Sequence, residues 1–186
     1  MQYYLFCDTE TGGLNPDQPI LQIGWQVVAS CGSVVKRGDY FFWPDWDKVD
    51  EKALAVNGLY PHVLESIITL QNLDGFVDFD NALSRLVADM HDYKAPFVAY
   101  NSPYDVSMIR GNAKCRDDFD AALSEFGEID VMDPARQFLK WDKWLKQTVA
   151  YNKITGHAPP DNAHTAHADI DMTREIFFKL QAVNAI

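Results

Sequence analysis

Cysteine is scarce in this sequence. Its 186 residues include three cysteines, Cys7, Cys31 and Cys115, and none of them forms a Cys-x-x-Cys pair. An odd and widely spaced set matches neither the disulfide framework of a small secreted domain nor the paired ligands of a zinc site. The pattern therefore predicts buried, reduced thiols.

Long apolar stretches are also missing. No run approaches the roughly 20 residues that span a bilayer, and no basic region followed by an apolar core marks a signal peptide at the N-terminus. We therefore expect a cytosolic protein without a membrane partner. No repeat, low-complexity stretch or linker rich in Pro, Gly or Ser divides the chain, so its length predicts a single domain over residues 1–186.

Basic residues are outnumbered by acidic ones. The chain has 16 Lys and Arg against 27 Asp and Glu, which gives a net charge of −11. Such a surface repels nucleic acid, which proteins bind through clustered basic side chains. The nearest approach to a cluster is Lys140, Lys143, Lys146 and Lys153, for which the exposed face of a helix is the alternative interpretation. A nucleic-acid substrate would therefore need a local, metal-assisted site, and long processive binding would need a partner.

The pattern of apolar residues predicts an α/β fold. Two apolar segments joined by Cys31-Gly32 indicate a hairpin after the first strand, and later strands alternate with helices. We expect strands at 2–7, 20–30, 33–43, 96–100 and 128–132. We expect helices at 50–57, 61–70, 74–91, from the Ser102 cap onward, from the Asp133 cap to 144, and at 164–182. This order favours a mixed five-stranded sheet, a three-strand antiparallel meander plus parallel strands, flanked by helices.

Two carboxylates follow the first strand. Asp8 and Glu10 stand two residues apart, between the apolar segment 2–7 and the turn at Gly12-Gly13. Alternate residues of a strand point to the same face, and two carboxylates that close repel each other unless a cation neutralises them. Oxygen ligands of this kind suit Mg²⁺ or Mn²⁺. A solvated, acidic strand end is the alternative interpretation.

Asp105 is a candidate for a further ligand. It lies in the first turn of a helix that directly follows the strand at 96–100, and strand ends of this kind deliver side chains to a cleft. Ser102-x-x-Asp105 is also close to a capping box, so a purely structural role stays open.

A cluster of histidines and acids lies near the C-terminus. The eight residues from His164 to Asp171 contain two histidines and two aspartates, directly after a Pro-Pro loop. Periodicity leaves two pairs open, His164 with Asp169 or His167 with Asp171. The second pair is four residues apart and would touch on one helix face, which could be a simple surface contact.

Taken in order, these residues resemble the motifs of the DEDDh 3′–5′ exonucleases. These are the DnaQ-like enzymes, of which the proofreading subunit of bacterial replicative polymerase is the type member. Residues 8–14 resemble the first motif, Asp-x-Glu-Thr-x-Gly, and residues 101–105 resemble the second, Asn-x-x-Phe/Tyr-Asp. The third motif has its histidine five residues before its aspartate, as His164 stands before Asp169.

Two minor matches and one mismatch refine the resemblance. Residues 56–59 are similar to the family's Thr/Asn-Gly-Ile/Leu element, and residues 130–136 to its Asp-Thr-x-x-x-Ala-Arg segment. The tyrosine subclass would have Tyr four residues before Asp169, where this chain has Thr165. The histidine subclass is therefore the better match.

The resemblance implies a ribonuclease H-like fold and a two-metal active site. Asp8, Glu10, Asp105 and Asp169 would ligate two Mg²⁺ or Mn²⁺ ions, and His164 would be the general base for the attacking water. Histidine side chains as a class titrate near neutrality, which suits that role. The implied reaction releases 5′-mononucleotides from the 3′ end of a nucleic acid.

The resemblance also implies which residues hold the 3′-terminal nucleotides. Leu14 and Leu59 would pack against the bases, and main-chain groups near Thr9 and Glu10 would hold the 3′-hydroxyl. Three further residues complete the expected substrate-binding set: Thr11, Gly12 and Asn101. For Asn101 a helix cap is an equal alternative.

Substrate and partners are left open by these motifs. Single-stranded DNA or frayed 3′ ends are the expected substrates, and RNA trimmed by an exoribonuclease is the alternative. The chain could act alone, as a homodimer, or with a polymerase or another repair protein. Two other functions compete, a catalytically weak nucleic-acid-binding module and a hydrolase of small phosphate esters. We assign no role to His167 or Asp171.

Overall fold

Five strands form one mixed sheet in the computed structural model, which describes residues 1–71 and 77–186. The strands are β1 (Tyr3–Thr11), β2 (Ile20–Ala29), β3 (Val34–Phe41), β4 (Phe97–Ala99) and β5 (Glu128–Asp130). Their order across the sheet is β3-β2-β1-β4-β5. The first three are antiparallel, β4 runs parallel to β1, and β5 runs parallel to β4. The expected five-stranded sheet is confirmed.

Helices flank this sheet. In the described ranges they are α1 (Glu51–Asn57), α2 (Pro61–Gln71), α3 (Phe79–Tyr93), α4 (Ser102–Asn112), α5 (Asp117–Phe126), α6 (Met132–Leu139), α7 (Gln147–Thr155) and α8 (Ala166–Ala182). The predicted start of the third helix at Asp74, with Phe76 on its apolar side, lies outside the described residues. None of the helices described is both long enough and apolar enough to cross a membrane.

Several helix boundaries differ from the sequence prediction. The cap of α4 is Asn101 and not Ser102, and α8 begins at Ala166. The helix expected to run from an Asp133 cap to residue 144 has Val131 as its cap, and Asp133 lies in its first turn. It ends at Leu139, because Lys140 adopts a left-handed conformation (φ 52°) that ends a helix. Helices α5 and α7 are additions that the apolar pattern does not predict.

The first strand is longer than expected. It continues to Thr11 because β2 goes on pairing with it through the acidic positions. Tyr4 and Phe6 point into the core that contains the apolar residues of α8, and Leu5 and Cys7 point into the opposite core. Asp8 and Glu10 continue the row of Tyr4 and Phe6, so their side chains lie on the face covered by α8.

Glycine at position 24 lets α8 approach the sheet closely. A Cβ on Gly24 would lie 2.9 Å from the Cβ of Ala166, and Gly24 is the pairing partner of Asp8. The N-terminal end of α8 has no capping bond from the side chain of Thr165. The Gln22 side chain supplies one instead, because its Oε1 accepts the Ala166 N–H at 3.3 Å. The first turn of α8 is therefore fixed beside Asp8.

The C-terminal end of α4 holds the turn that follows β1. Asn112 Nδ2 donates to the carbonyl of Gln18 at 3.0 Å, and its Oδ1 accepts the N–H of Ile20 at 3.0 Å. A Cβ on Gly111 would lie 1.9 Å from the carbonyl oxygen of Pro16, so this close approach requires glycine. These contacts fix α4 against the loop beyond the acidic pair, and they therefore also fix the position of the first turn of α4.

The cysteines differ in their surroundings. Cys7 is buried in the centre of β1, as predicted. Cys31 and Cys115 are exposed, so the prediction of buried thiols is wrong for them. Both lie between regular elements, Cys31 in the hairpin turn and Cys115 between α4 and α5, where neighbouring chain does not cover them.

Candidate active site

Three carboxylates converge where β1 meets the first turn of α8. One oxygen from each of Asp8, Glu10 and Asp169 lies within 4.8 Å of the other two. Glu10 and Asp169 are buried and Asp8 is half-buried. Ligand oxygens lie about 2.1 Å from a bound Mg²⁺, so opposite ligands are about 4 Å apart. The spacing of the three acids fits a divalent ion held by oxygen ligands.

Asp105 is the fourth predicted carboxylate and lies beside these three. It is 4% exposed, and its Oδ1 accepts the N–H of Thr9 at 3.0 Å and the Thr9 hydroxyl at 2.8 Å. Asp105 is not one of the three acids whose oxygens lie within 4.8 Å of one another. After burial, however, its charge contributes most to the raised pKa of Asp8. The structure therefore brings all four acids together, and Thr9 orients one of them.

Burial and mutual repulsion oppose ionisation of these acids. Burial raises the pKa of Asp8, and so do the charges of the other three carboxylates. Burial, followed by the charges of Asp169 and Asp105, raises the pKa of Glu10 to about 9. Burial raises the pKa of Asp105 to about 7, despite its hydrogen bonds, and also raises that of Asp169. In residues 1–71 and 77–186 no lysine or arginine pairs with any of the four. A divalent cation would supply the missing counter-charge.

His164 lies at the edge of the carboxylate cluster. Its N–H donates to Asp169 Oδ1 at 3.1 Å, and its Nδ1 is 4.0 Å from Asp169 Oδ2. The residue has a positive φ of 74°, a conformation that is uncommon for a residue with a side chain. The side chain is 51% exposed, so the ring is open to water beside the acids.

His167 and Asp171 point to other partners. His167 Nε2 lies 3.4 Å from Asp39 Oδ2, and Asp171 Oδ1 accepts from Gln26 Nε2 at 3.0 Å. Periodicity leaves two histidine–aspartate pairs open. The structure brings His164 and Asp169 to the cluster, and not His167 and Asp171.

A groove of ≈ 390 Å³ opens beside the carboxylates. Thr9, Glu10 and Thr11 line one side of it, together with Leu14 from the following turn and Val56 from α1. Leu14 is 82% exposed and Val56 is 58% exposed. Exposed apolar side chains at a groove are typical of ligand-binding surfaces. The groove thus combines an acidic end with an apolar wall.

Leu59 lies in the core and does not line this groove. It is 7% exposed and packs with Leu21, Leu54 and Leu64. Val56, three residues earlier on α1, provides the exposed apolar surface instead. Of the two leucines predicted to meet the bases, Leu14 alone is placed where a ligand could touch it.

Two side chains outside the predicted set shape the groove. The Tyr104 hydroxyl donates to the carbonyl of Gly13 at 3.0 Å and lies 2.7 Å from Thr11 Oγ1. Asn57 Nδ2 donates to the carbonyl of Thr11 at 3.1 Å. Both residues lie in segments that carry the family resemblance, which was the available signal for them.

The two remaining predicted residues have different surroundings. The Gly12 N–H donates to the carbonyl of Pro19 at 2.7 Å, and a Cβ on Gly12 would lie 3.1 Å from Pro19. Asn101 is the cap residue of α4, yet its side chain makes no capping bond. Asp130 Oδ1 accepts the N–H of Ser102 at 3.0 Å instead. Capping therefore does not account for the side chain of Asn101.

Metal binding at this cluster should release protons. The pKa of Glu10 is about 9, so at neutral pH it keeps its proton until a metal displaces it. Because the pKa is raised, Mn²⁺ affinity should increase from about pH 6 to about pH 9. Calorimetric titrations in buffers of different ionisation enthalpy should show about one proton or more released, and fewer in Glu10→Gln. A Mn²⁺ affinity that does not change with pH, together with a binding enthalpy that is the same in every buffer, would contradict these pKa shifts.

Comparison with known proteins shows which solved structures share this fold. No protein-family model and no curated protein matches the sequence. Exonuclease I of E. coli, in complex with a dT13 oligonucleotide, matches with a TM-score of 0.70 and 17% identity over 97% of this chain and 41% of that chain. Exonuclease I of Methylocaldum szegediense matches with a TM-score of 0.70 and 15% identity over 98% and 41%.

A third similar structure is of comparable size. It shows a 3′-exonuclease that recognises the 3′ end of a histone mRNA stem-loop, with a TM-score of 0.67 and 12% identity over 99% of this chain and 83% of that chain. This chain spans about 41% of the exonuclease I chains it matches. At such identities the similarity shows the fold, and it confirms the expected ribonuclease H-like arrangement shared with these exonucleases.

Proposed function

We propose that this protein is a metal-dependent 3′–5′ exonuclease that releases 5′-mononucleotides from single-stranded 3′ ends. The observation that carries the proposal is the convergence of four carboxylates, without a basic partner in the described residues, beside a groove with an apolar wall. The shared fold supports it, because one similar structure shows an exonuclease in complex with a DNA oligonucleotide and another shows a 3′-exonuclease that recognises the 3′ end of an mRNA stem-loop.

The four carboxylates would hold two Mg²⁺ or Mn²⁺ ions. Asp8 would be one of the ligands, because one of its oxygens lies within 4.8 Å of oxygens from Glu10 and Asp169. Glu10, Asp105 and Asp169 would complete the ligand set, and Thr9 would keep Asp105 in position through its two hydrogen bonds. Bound ions of this kind polarise the scissile phosphate and lower the pKa of water.

His164 would take the proton from the attacking water. Its ring lies at the exposed edge of the cluster, and the carboxylate of Asp169 near Nδ1 would stabilise the imidazolium that forms. Water would bond to the terminal phosphorus, and the bond to the 3′-oxygen of the preceding nucleotide would break. That oxygen would take a proton from solvent, and the departing nucleotide would keep a 5′-phosphate.

The groove would bind the last nucleotides of the strand. Leu14 and Val56 are the exposed apolar groups that could meet a base, and the main chain near Thr9 and Glu10 would hold the 3′-hydroxyl. Leu59 would act from the core by supporting α1. Direct contacts of Thr11, Gly12 and Asn101 with substrate stay predictions, as do a polymerase partner, a homodimer and a cytosolic location.

A 5′-labelled oligonucleotide tests the proposal. In Mg²⁺ or Mn²⁺ we expect a ladder of products shortened one nucleotide at a time from the 3′ end, with 5′-mononucleotides released. EDTA should abolish the ladder. Parallel reactions on single-stranded DNA, RNA and mismatched duplex ends would separate a DNA exonuclease from an exoribonuclease. Cleavage of small phosphate esters without any ladder, or no metal-dependent product, would contradict the proposal.

A further inference from the structure

One surface segment combines lysines with aromatic residues. Residues 138–146, here called the lysine-aromatic segment, read Phe-Leu-Lys-Trp-Asp-Lys-Trp-Leu-Lys. Aromatic residues recur at every third position from 138 to 144, and lysines at every third position from 140 to 146, with Asp142 as the single acid. In a chain with a net charge of −11, this run is a local concentration of positive charge.

The aromatic side chains of this segment are exposed. Phe138 is 48% exposed, Trp141 is 38% exposed and Trp144 is 62% exposed. Large aromatic rings are usually buried, so three exposed rings in seven residues require a reason. Lys153 on α7 already lies 5.6 Å from the ring centre of Trp141, which shows that this ring face attracts a cation.

The lysines of this segment are available as well. Lys140, Lys143 and Lys146 are exposed, and none of them pairs with a carboxylate in the part of the chain that the structure describes. They lie between α6 and α7, so the helix-face interpretation of these three lysines is wrong. Basic groups without partners on an acidic protein are the natural contact for phosphates.

The segment is anchored next to the carboxylate cluster. Leu145 is fully buried, and its carbonyl accepts the hydroxyl proton of Tyr100 at 2.8 Å. Gln147, the next residue but one, donates from Nε2 to the carbonyl of Asp169 at 2.6 Å and to Thr173 Oγ1 at 2.8 Å. A strand whose 3′ end lies at Asp169 would therefore find this segment within reach.

We propose that the lysine-aromatic segment binds single-stranded nucleic acid on the 5′ side of the nucleotides in the active site. Bases stack on Trp141 and Trp144, and phosphates contact the three lysines. The inference rests on the proposed exonuclease function and adds a binding site for the part of the strand that lies outside the active site. Exposed ring faces suit unstacked bases and not a duplex, because a duplex offers no free base faces along its length. The segment also explains how so acidic a chain can hold a polyanion.

Binding without turnover tests this segment directly. The probe is a fluorescein-labelled oligo-dT of about 16 nucleotides, long enough to reach beyond the active site, with anisotropy measured in EDTA. Trp144→Ala should weaken binding about tenfold. The triple variant Lys140→Gln, Lys143→Gln, Lys146→Gln should reduce the slope of log affinity against log salt by about 2.

Matched controls exist elsewhere on the surface. Trp43→Ala removes a ring that is 51% exposed in the segment after β3, and Lys179→Gln removes an exposed charge from α8. Both should bind the probe as wild type does. Circular dichroism should show the same fold for all variants. Equal affinity of wild type, Trp144→Ala and the triple variant, or no binding of the probe by wild type, would overturn the inference.

A length comparison separates this inference from the proposed function. In Mn²⁺ the ratio of kcat/KM for the long strand to kcat/KM for a dinucleotide should fall about tenfold in Trp144→Ala. If wild type hydrolyses both substrates and the ratio is unchanged, the segment has no such role and the exonuclease proposal stands. If the variants lose binding in EDTA but wild type hydrolyses neither substrate, the exonuclease proposal fails and the binding segment stands.

Discussion

Asp8→Asn should lower the rate of metal-dependent hydrolysis about a thousandfold or more. One carboxylate oxygen of Asp8 lies within 4.8 Å of carboxylate oxygens from Glu10 and Asp169. Asparagine keeps the shape of the side chain but carries no charge, so the proposed ions lose their central ligand. Metal ions contribute several kcal/mol of transition-state stabilisation, and each ~1.4 kcal/mol is tenfold in rate. Steady-state kinetics on a 5′-labelled oligonucleotide would measure the loss.

The same substitution should stabilise the metal-free protein. Burial and neighbouring charges raise the pKa of Asp8, so the native state binds this proton more tightly than the unfolded state does. Above the unfolded pKa, stability therefore falls as pH rises, and asparagine removes that loss. At about pH 8 the melting temperature without metal should rise by ~2–4 °C or more. Added Mn²⁺ should raise the melting temperature of wild type but not of the variant.

Asp171→Asn is the matched control for this substitution. Asp171 lies on the same helix as Asp169 but accepts a hydrogen bond from Gln26 and pairs with Arg174. Its loss should leave hydrolysis and the effect of Mn²⁺ on melting as in wild type. An Asp8→Asn enzyme with more than about a tenth of wild-type activity would show that Asp8 is not a central metal ligand.

His164→Ala should lower kcat by about 10²–10⁴-fold while Mn²⁺ still binds. A positioned general base contributes about this much, and the imidazole is the one His164 group that the substitution removes from the cluster. The N–H bond to Asp169 belongs to the backbone and remains. Steady-state kinetics at saturating Mn²⁺ would measure the loss in kcat, and calorimetric titration would show that the variant still binds Mn²⁺.

His167→Ala distinguishes the two histidines. His167 lies 3.4 Å from Asp39 and away from the carboxylates, so its removal should leave kcat within about twofold of wild type. A large loss in His167→Ala together with near-normal turnover in His164→Ala would reverse the assignment of the third motif.

The acidic site could be predicted from local rules and from the family resemblance. Asp8 and Glu10 share a strand face because side chains alternate, and the structure confirms that they converge. Asp105 lies in the first turn of α4, where the sequence pattern places it. Asp169 lies in the first turn of α8 because this helix begins at Ala166 and not at the expected residue 164. The choice between two histidine–aspartate pairs needed the resemblance, and the structure then placed one pair at the cluster.

The supporting contacts could not be predicted, because they join residues that are far apart in sequence. Gln22 caps α8 across 144 positions, and Asn112 bonds to Gln18 across 94. Val56 is exposed at the groove while Leu59 is buried, because the chain turns at Gly58, after the end of α1, and places Leu59 in a small core of its own. The end of α6 depended on the left-handed conformation of Lys140, which no helix propensity indicates.

Crystals of the wild-type protein soaked in Mn²⁺ at about pH 8, where metal competes well with protons, would test the metal site most directly. We predict anomalous scattering peaks beside the carboxylate of Asp8, two of them about 3.5–4 Å apart and bounded by Glu10, Asp105 and Asp169. The same soak of Asp8→Asn crystals should show no peak there. Absence of any peak beside Asp8 in the wild-type crystals, with Mn²⁺ in excess, would contradict a metal-dependent exonuclease.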